Sequence, residues 1–206
     1  MWQSTIRIPM LAGVVLLGAA AWALCASLTG PDEIALKLGE SYEAVRQRSG
    51  SILPARNSDW GSLPKVIAKF RFDDPQYGFT TPRAVLSQMS FGGPDNSEVE
   101  SVELSPQVTP LPLDDVIAVV TQLQDKLRRR GWRPFRYSRM RPIEDTPGLR
   151  RLLRDCQFPM SVWNAGDKAQ VVIDIGCHSI PPQPDRERYV ITLELTRPFW
   201  TDRLNE

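Results

Sequence analysis

The chain has 206 residues, in which 25 lysines and arginines nearly balance 24 aspartates and glutamates, so its net charge is +1. Apolar residues make up 42% and charged residues 24%, which is typical of a globular protein and excludes a long acidic or basic tail. Three cysteines are too few for a disulfide-dense mini-scaffold. A single histidine excludes multi-histidine metal sites and argues against a histidine-based triad. We therefore expect no metal and no cofactor.

The first segment with a clear meaning is the apolar stretch 8–28, which carries no charged side chain. A helix that crosses a bilayer needs about 20 residues, so this stretch predicts a transmembrane anchor. Arg7 precedes it and Asp32 follows it, which keeps the N-terminus in the cytoplasm and exports the rest. A signal peptide cleaved near 19–21 and a lipoprotein signal at Cys25 are the alternatives.

These features divide the chain into an anchor or signal segment, 1–31, and one exported domain, 32–206. The predicted location is the inner membrane, crossed once through residues 8–28, with the bulk of the chain in the periplasm. No later segment approaches the length of a membrane span.

Beyond the anchor, hydrophobic periodicity predicts strands and helices in an order typical of an α+β fold. The predicted helices are 42–48 with Ser41 as N-cap, a long one between Asp114 as N-cap and Gly131, and a short one from Thr146-Pro147 to about Asp155. The predicted strands are 66–72, 84–91, 98–104, 160–163, 169–175 and 189–195. We expect an antiparallel sheet with helices packed on one face.

Two of the cysteines, Cys156 and Cys177, fall within the predicted exported domain. Two thiols in an oxidising compartment usually pair, so we predict a disulfide between them, with two separate buried thiols as the alternative. His178 follows Cys177 directly, but neighbouring side chains of a strand point to opposite faces, which argues against a nucleophile–base pair.

Carboxylates offer the one remaining route to catalysis. Asp73, Asp74 and Asp174 could serve an envelope hydrolase as acid and base. Asp73 and Asp74 precede Pro75, however, where they are more typical of a turn. We do not expect an enzyme.

The most unusual feature is a run of cations from Lys126 to Arg154. The run contains eleven lysines and arginines but only two acidic residues, Glu144 and Asp145, so its net charge is +9. The remainder of the chain then carries a net charge of −8. The run predicts an interface, whose expected partner-binding residues are Trp132, Arg133, Phe135, Arg136 and Tyr137.

Arginines mixed with aromatic rings suit single-stranded nucleic acid, anionic lipid or an acidic protein partner. Export argues against nucleic acid, so we place an acidic protein patch first and anionic lipid second. The alternative without a binding role is that these arginines pair with the acidic remainder and cover apolar surface with their stems.

Two short pieces, 36–45 and 89–102, resemble the strand–glycine–serine–helix opening and the strand–turn–strand of small exported assembly lipoproteins and β-lactamase-inhibitor-protein modules. The whole chain also resembles the single-anchor periplasmic immunity proteins encoded beside type VI secretion toxins, in its apolar N-terminus, single α+β domain and lack of a catalytic set. Both resemblances imply binding rather than catalysis. The expected function is therefore an immunity or inhibitor protein that neutralises a cognate toxin. The alternative is a structural or assembly factor of the envelope or a secretion apparatus.

Overall fold

The computed structural model describes residues 33–56, 65–178 and 187–200. Its strands are β1 (Glu33–Leu36), β2 (Val66–Phe72), β3 (Phe79–Gly92), β4 (Glu98–Ser105), β5 (Arg133–Pro134), β6 (Met160–Ala165), β7 (Ala169–Cys177) and β8 (Tyr189–Thr196). Its helices are α1 (Tyr42–Arg48), α2 (Leu113–Arg129) and α3 (Pro147–Arg154), with single 3₁₀ turns at Gly50–Ile52 and Ser138–Met140. The predicted anchor, 8–28, lies outside the described residues. Within the three described ranges, no helix has the length and apolar character that crossing a membrane requires.

The described strands form one sheet in the order β1-β2-β3-β4-β8-β7-β6-β5. Only β1 and β2 run parallel within it, and the other neighbouring pairs are antiparallel. The pairing of β4 with β8 joins the strands that precede α2 to those that follow α3. The predicted α+β class is thus confirmed, and the predicted antiparallel pairing holds for every neighbouring pair of described strands except β1 and β2.

One face of the sheet carries the main hydrophobic core. Strands β2 and β8 show strict alternation, and in β8 the buried members are Tyr189, Ile191, Leu193 and Leu195. Alternate residues of a strand share a face, so this pattern lays a continuous apolar surface across the central strands. All three helices contribute buried side chains to the cluster on this face, and those of α2 include Val116, Val120, Leu123 and Leu127.

The opposite face is largely polar but has a smaller apolar cluster at its β6–β7 end. Val162 and Val172 are cross-strand partners there, and Phe135 from the segment after α2 packs against both. Farther along the same face, Glu103 of β4 lies directly opposite Glu194 of β8. The segment that leaves α2 therefore reaches the side of the sheet that the helices do not occupy.

The predicted Ser41 cap is confirmed, and the structure adds a second side-chain cap, Thr146, at the predicted start of the short helix. The Ser41 hydroxyl accepts a hydrogen bond from the Ala44 backbone N–H at 3.3 Å, and the Thr146 hydroxyl accepts one from the Leu149 N–H at 3.1 Å. Each bond satisfies an N–H group that has no partner inside its helix. The caps fix where α1 and α3 begin.

The predicted cap of α2 is wrong. The helix begins at Leu113, two residues before the start that an Asp114 cap implies, and its N-cap is Pro112, whose carbonyl accepts from the Val116 N–H at 3.0 Å. Asp114 lies inside the first turn, where the negative charge of a carboxylate interacts favourably with the positive end of the helix dipole. Its side chain accepts a hydrogen bond from Arg150 at 2.7 Å instead of capping a backbone N–H.

Candidate partner-binding surface

The segment that carries the predicted partner-binding residues begins where α2 ends, at Gly131. Gly131 adopts a φ of +82°, a left-handed conformation that glycine reaches without steric cost. Its N–H donates to the Arg128 carbonyl, and the next N–H, that of Trp132, donates to the Leu127 carbonyl at 3.1 Å. This closure satisfies the last carbonyls of the helix and turns the chain towards the sheet.

Trp132 is 2% exposed and lies in the main core. Its ring makes edge contacts with Phe72, Tyr77 and Phe79 at centroid distances of 5.8–6.1 Å. The indole N–H donates to the Tyr77 carbonyl at 2.8 Å. The structure therefore makes Trp132 an internal anchor and leaves none of its ring for a partner.

Phe135 is buried as well, but in the smaller cluster on the other face of the sheet. Between the two aromatic residues, β5 pairs with the end of β6, where Arg133 lies opposite Asn164. The Phe135 N–H continues that pairing with a bond of 2.8 Å to the Val162 carbonyl. The chain thus wraps around the edge of the sheet, with one aromatic residue inserted on each side.

The other three predicted partner-binding residues, Arg133, Arg136 and Tyr137, are on the surface. Tyr137 is 53% exposed, and neither arginine makes an ion pair within the described part of the chain. We call these three residues the edge surface. Its backbone is held by Trp132 and Phe135, so its side chains project from a fixed position.

The cationic run does not form one continuous patch. Arg150 donates to Asp145 at 2.6 Å and to Asp114 at 2.7 Å, which places it beside the first turn of α2. These carboxylates, Asp145 foremost, raise the pKa of Arg150. Arg129 and Arg130 lie at the far end of the same helix, whose 17 residues span about 25 Å. Arg128, another member of the run, contacts Asp125 at 2.5 Å. Part of the cationic run is therefore paired with acidic side chains.

Sequence reasoning missed a second exposed group, next to α3. Phe158 is 68% exposed and Leu152 is 41% exposed, in a stretch that also exposes Arg151 and Arg154. We call these four residues the α3 surface. The sequence held a signal for Leu152, because Leu149 and Leu153 already form the i, i+4 stripe of this short helix. It held none for Phe158, which follows the helix in an irregular stretch.

The predicted cysteine pair lies beside the α3 surface at disulfide distance. The Cα atoms of Cys156 and Cys177 are 5.6 Å apart, within the range that a disulfide requires. Cys156 has a φ of +50°, and the Gln157 N–H folds back to the Leu152 carbonyl at 2.9 Å. The pair ties the turn after α3 to the end of β7.

The three carboxylates proposed for a hydrolase do not share one site in the structure. Asp73 contacts Arg71 at 2.7 Å, and Asp74 accepts the backbone N–H groups of Gln76 and Tyr77, as expected of a turn. Asp174 is on β7, where burial and then Glu103 raise its pKa. Among the described residues, no group of three or more histidines, cysteines, aspartates and glutamates could hold a metal ion.

Comparison with known proteins adds no family to this description. No family model matches the chain, and no curated protein or solved structure is significantly similar to it.

Proposed function

We propose that this chain is a binding protein that neutralises a cognate toxin by covering its active surface, with the edge surface at the centre of the contact. The observation that supports this proposal is the way Arg133, Arg136 and Tyr137 are presented. Their side chains are exposed, while buried residues on both sides of the sheet hold their backbone. A surface that is ordered before binding loses less conformational entropy when it binds.

The chemistry of the edge surface favours an acidic protein partner. Arginine and tyrosine are the residue types that most often dominate interface energies, together with tryptophan. Arg133 and Arg136 have no ion pair among the described residues, so their charges are available to a partner's carboxylates. Opposite charges across an interface also accelerate the encounter of the two proteins, by an amount that falls with added salt.

We further propose that the protein acts from the periplasmic side of the inner membrane, anchored through residues 8–28. The charge pattern around that segment supports this orientation. The cysteine pair at disulfide distance is compatible with it, since disulfides persist in oxidising compartments. Fractionation with and without a reductant tests the location, and recovery of full-length protein in the cytosol would contradict it.

The direct test measures binding and protection against the product of the adjacent gene. We expect full-length protein to bind that product and to protect cells that express it. The triple variant R133A/R136A/Y137A should bind at least about 100-fold more weakly, because interface hot spots each contribute about 2 kcal/mol or more. The matched control is I67A/K69A, which removes an exposed apolar residue and an exposed cation from the polar face of β2.

Two results would overturn the assignment. One is unchanged binding by the triple variant while the variant remains folded by circular dichroism. The other is a loss of binding that L152A/F158A causes and the triple variant does not, which would move the contact to the α3 surface. Absence of both binding and protection would reject the neutralising role itself.

One observation favours a second function, that of an assembly factor for an envelope or secretion apparatus. The edge surface and the α3 surface lie in different parts of the fold, on β5 and next to the end of β7. Two separate surfaces suit a protein that joins two partners. Deletion distinguishes the functions, because an assembly factor gives an envelope or secretion defect in a strain without the toxin gene, and an immunity protein does not.

A further inference from the structure

A cleft separates the turn between β2 and β3 from the C-terminal end of α2. Its volume is about 430 Å³, within the range of small-molecule sites. Six charged side chains line it: Arg71, Asp73, Asp74, Lys126, Arg129 and Arg130. Four cations and two carboxylates give the cleft a net of two positive charges.

Both carboxylates in the cleft already have partners. Asp73 accepts from Arg71 at 2.7 Å. One oxygen of Asp74 accepts two backbone N–H groups at 2.7 and 2.9 Å, and its other oxygen lies 4.0 Å from the Lys168 ammonium. Among the residues that the structure describes, neither carboxylate therefore forms an ion pair with the α2 cations across the cleft.

The cations contributed by α2 are less committed. Lys126 donates to the Thr80 carbonyl at 2.7 Å, which fixes its ammonium at the cleft wall and leaves its charge unpaired. Arg129 and Arg130 make no ion pair within the described ranges. Trp132, which comes shortly after these two arginines in the chain, is anchored in the core. Their guanidinium groups therefore extend from a helix end whose backbone is fixed.

We propose that this cleft binds a phosphate group. A phosphomonoester carries a charge of about −1.5 to −2 at neutral pH, which balances the net charge of the cleft, whereas a carboxylate balances half of it. Arginine binds phosphate oxygens through paired N–H groups, and lysine adds a point charge. The negative end of the α2 dipole opposes an anion here, and the cations of the last turn offset that effect.

The size of the cleft indicates that the phosphate is attached to a larger group. A water molecule occupies about 30 Å³ in the liquid, so a cleft of about 430 Å³ exceeds several-fold what a lone phosphate fills. The remaining room suits the polyol of a sugar phosphate or of a lipid headgroup. These two sources share the same phosphomonoester chemistry.

The experiment titrates full-length protein in a neutral detergent with inorganic phosphate, glycerol phosphate and acetate, followed by isothermal calorimetry. We expect glycerol phosphate to bind at least about 10-fold more tightly than acetate. The R129A/R130A variant should lose at least 10-fold in that affinity. The control R133A/R136A removes two exposed arginines that do not line the cleft, and its affinity should stay within twofold of the unmodified protein.

The pH dependence gives an independent readout. The second ionisation of a phosphomonoester has a pKa of about 6, so binding should tighten between pH 5 and pH 7.5. The single histidine, His178, follows the end of β7 and is not among the residues that line the cleft. A tightening in this range therefore reports the ligand's own charge.

Vesicles of neutral lipid with and without phosphatidic acid distinguish the two sources. Binding that R129A/R130A reduces on phosphatidic acid vesicles assigns a lipid headgroup, and binding of glycerol phosphate alone assigns a soluble ligand. If R129A/R130A and R133A/R136A lost the same affinity for glycerol phosphate, binding would reflect the general surface charge rather than the cleft, and the proposal would be overturned. Acetate binding as tight as that of the phosphates would overturn it as well. Neither result bears on toxin binding, which rests on the edge surface.

Discussion

Replacement of Trp132 tests whether this residue is an internal anchor or a contact for a partner. Trp132→Ala removes a side chain that is 2% exposed and contacts three aromatic rings. Large-to-small changes of this kind lower the free energy of unfolding by about 3–5 kcal/mol. The total stability of a domain is about 5–15 kcal/mol, so the variant should lose a large fraction of it.

A milder change separates the ring from its hydrogen bond. Trp132→Phe keeps an aromatic ring near Phe72 and Phe79 but removes the indole N–H that donates to the Tyr77 carbonyl. An unpaired polar group costs about 1–3 kcal/mol when it is buried, so this variant should fall between the alanine variant and the unmodified protein.

The assay is urea unfolding followed by far-UV circular dichroism, with all variants in the same detergent. Tyr137→Ala is the matched control, because it removes an exposed ring five residues away and should change stability by less than about 0.5 kcal/mol. A Trp132→Ala protein as stable as this control, but unable to bind a partner, would refute the reasoning and restore Trp132 to the interface.

Three further predictions concern other parts of the fold. Serine at both Cys156 and Cys177, or a reductant, should lower stability by about 3 kcal/mol through the entropy of a 21-residue separation, measured as a shift in the urea midpoint. Asp174→Asn should raise stability at neutral pH, because burial raises the pKa of the native carboxyl and so penalises its charged form. This gain in stability should vanish below a pH of about 3.9, the pKa of an aspartate in the unfolded chain, because the carboxyl is then protonated in both the folded and the unfolded state. A gain that persisted below that pH would contradict this cause. Gln124→Ala should cost about 2–4 kcal/mol and speed amide exchange at Ile143, whose N–H and carbonyl both bond to that buried amide at 2.8 Å.

Elements with a regular hydrophobic repeat were predictable because their burial pattern is local. The strand 66–72 has the bounds that alternation predicts, and the Leu123 and Leu127 positions of α2 are buried as its helical stripe requires. In both elements a single face meets the core, so the spacing of apolar residues in the sequence matches the spacing of buried residues in the structure.

Elements that depend on distant partners were not predictable. Hydrophobic periodicity did not indicate β1, which is four residues long and pairs in parallel with β2 through matches such as Ile34 with Phe70. Strand β3 begins at Phe79 rather than at residue 84, although proline usually marks a strand boundary. Pro82 is tolerated because pairing with β4 is established only from Val85 onward, and pairing with β2 is irregular next to Pro82.

The candidate site was predictable in its composition but not in its geometry. A mixture of arginine and aromatic residues marked 132–137 as unusual, and three of these five arginine and aromatic side chains are exposed. Which ones are buried depends on the wrap around the sheet edge, since Trp132 meets the main core and Phe135 meets the opposite cluster. No periodicity in a six-residue segment specifies two cores on opposite sides.

The two-residue strand β5 also decides how the sheet ends. Successive N–H groups of a strand point to alternate sides, and the Phe135 N–H points inward to β6. The preceding position is Pro134, which has no N–H to offer outward, and its neighbour is the charged Arg133. A strand from another molecule therefore meets neither a hydrogen-bond donor nor a neutral surface along β5, which disfavours edge-to-edge pairing there.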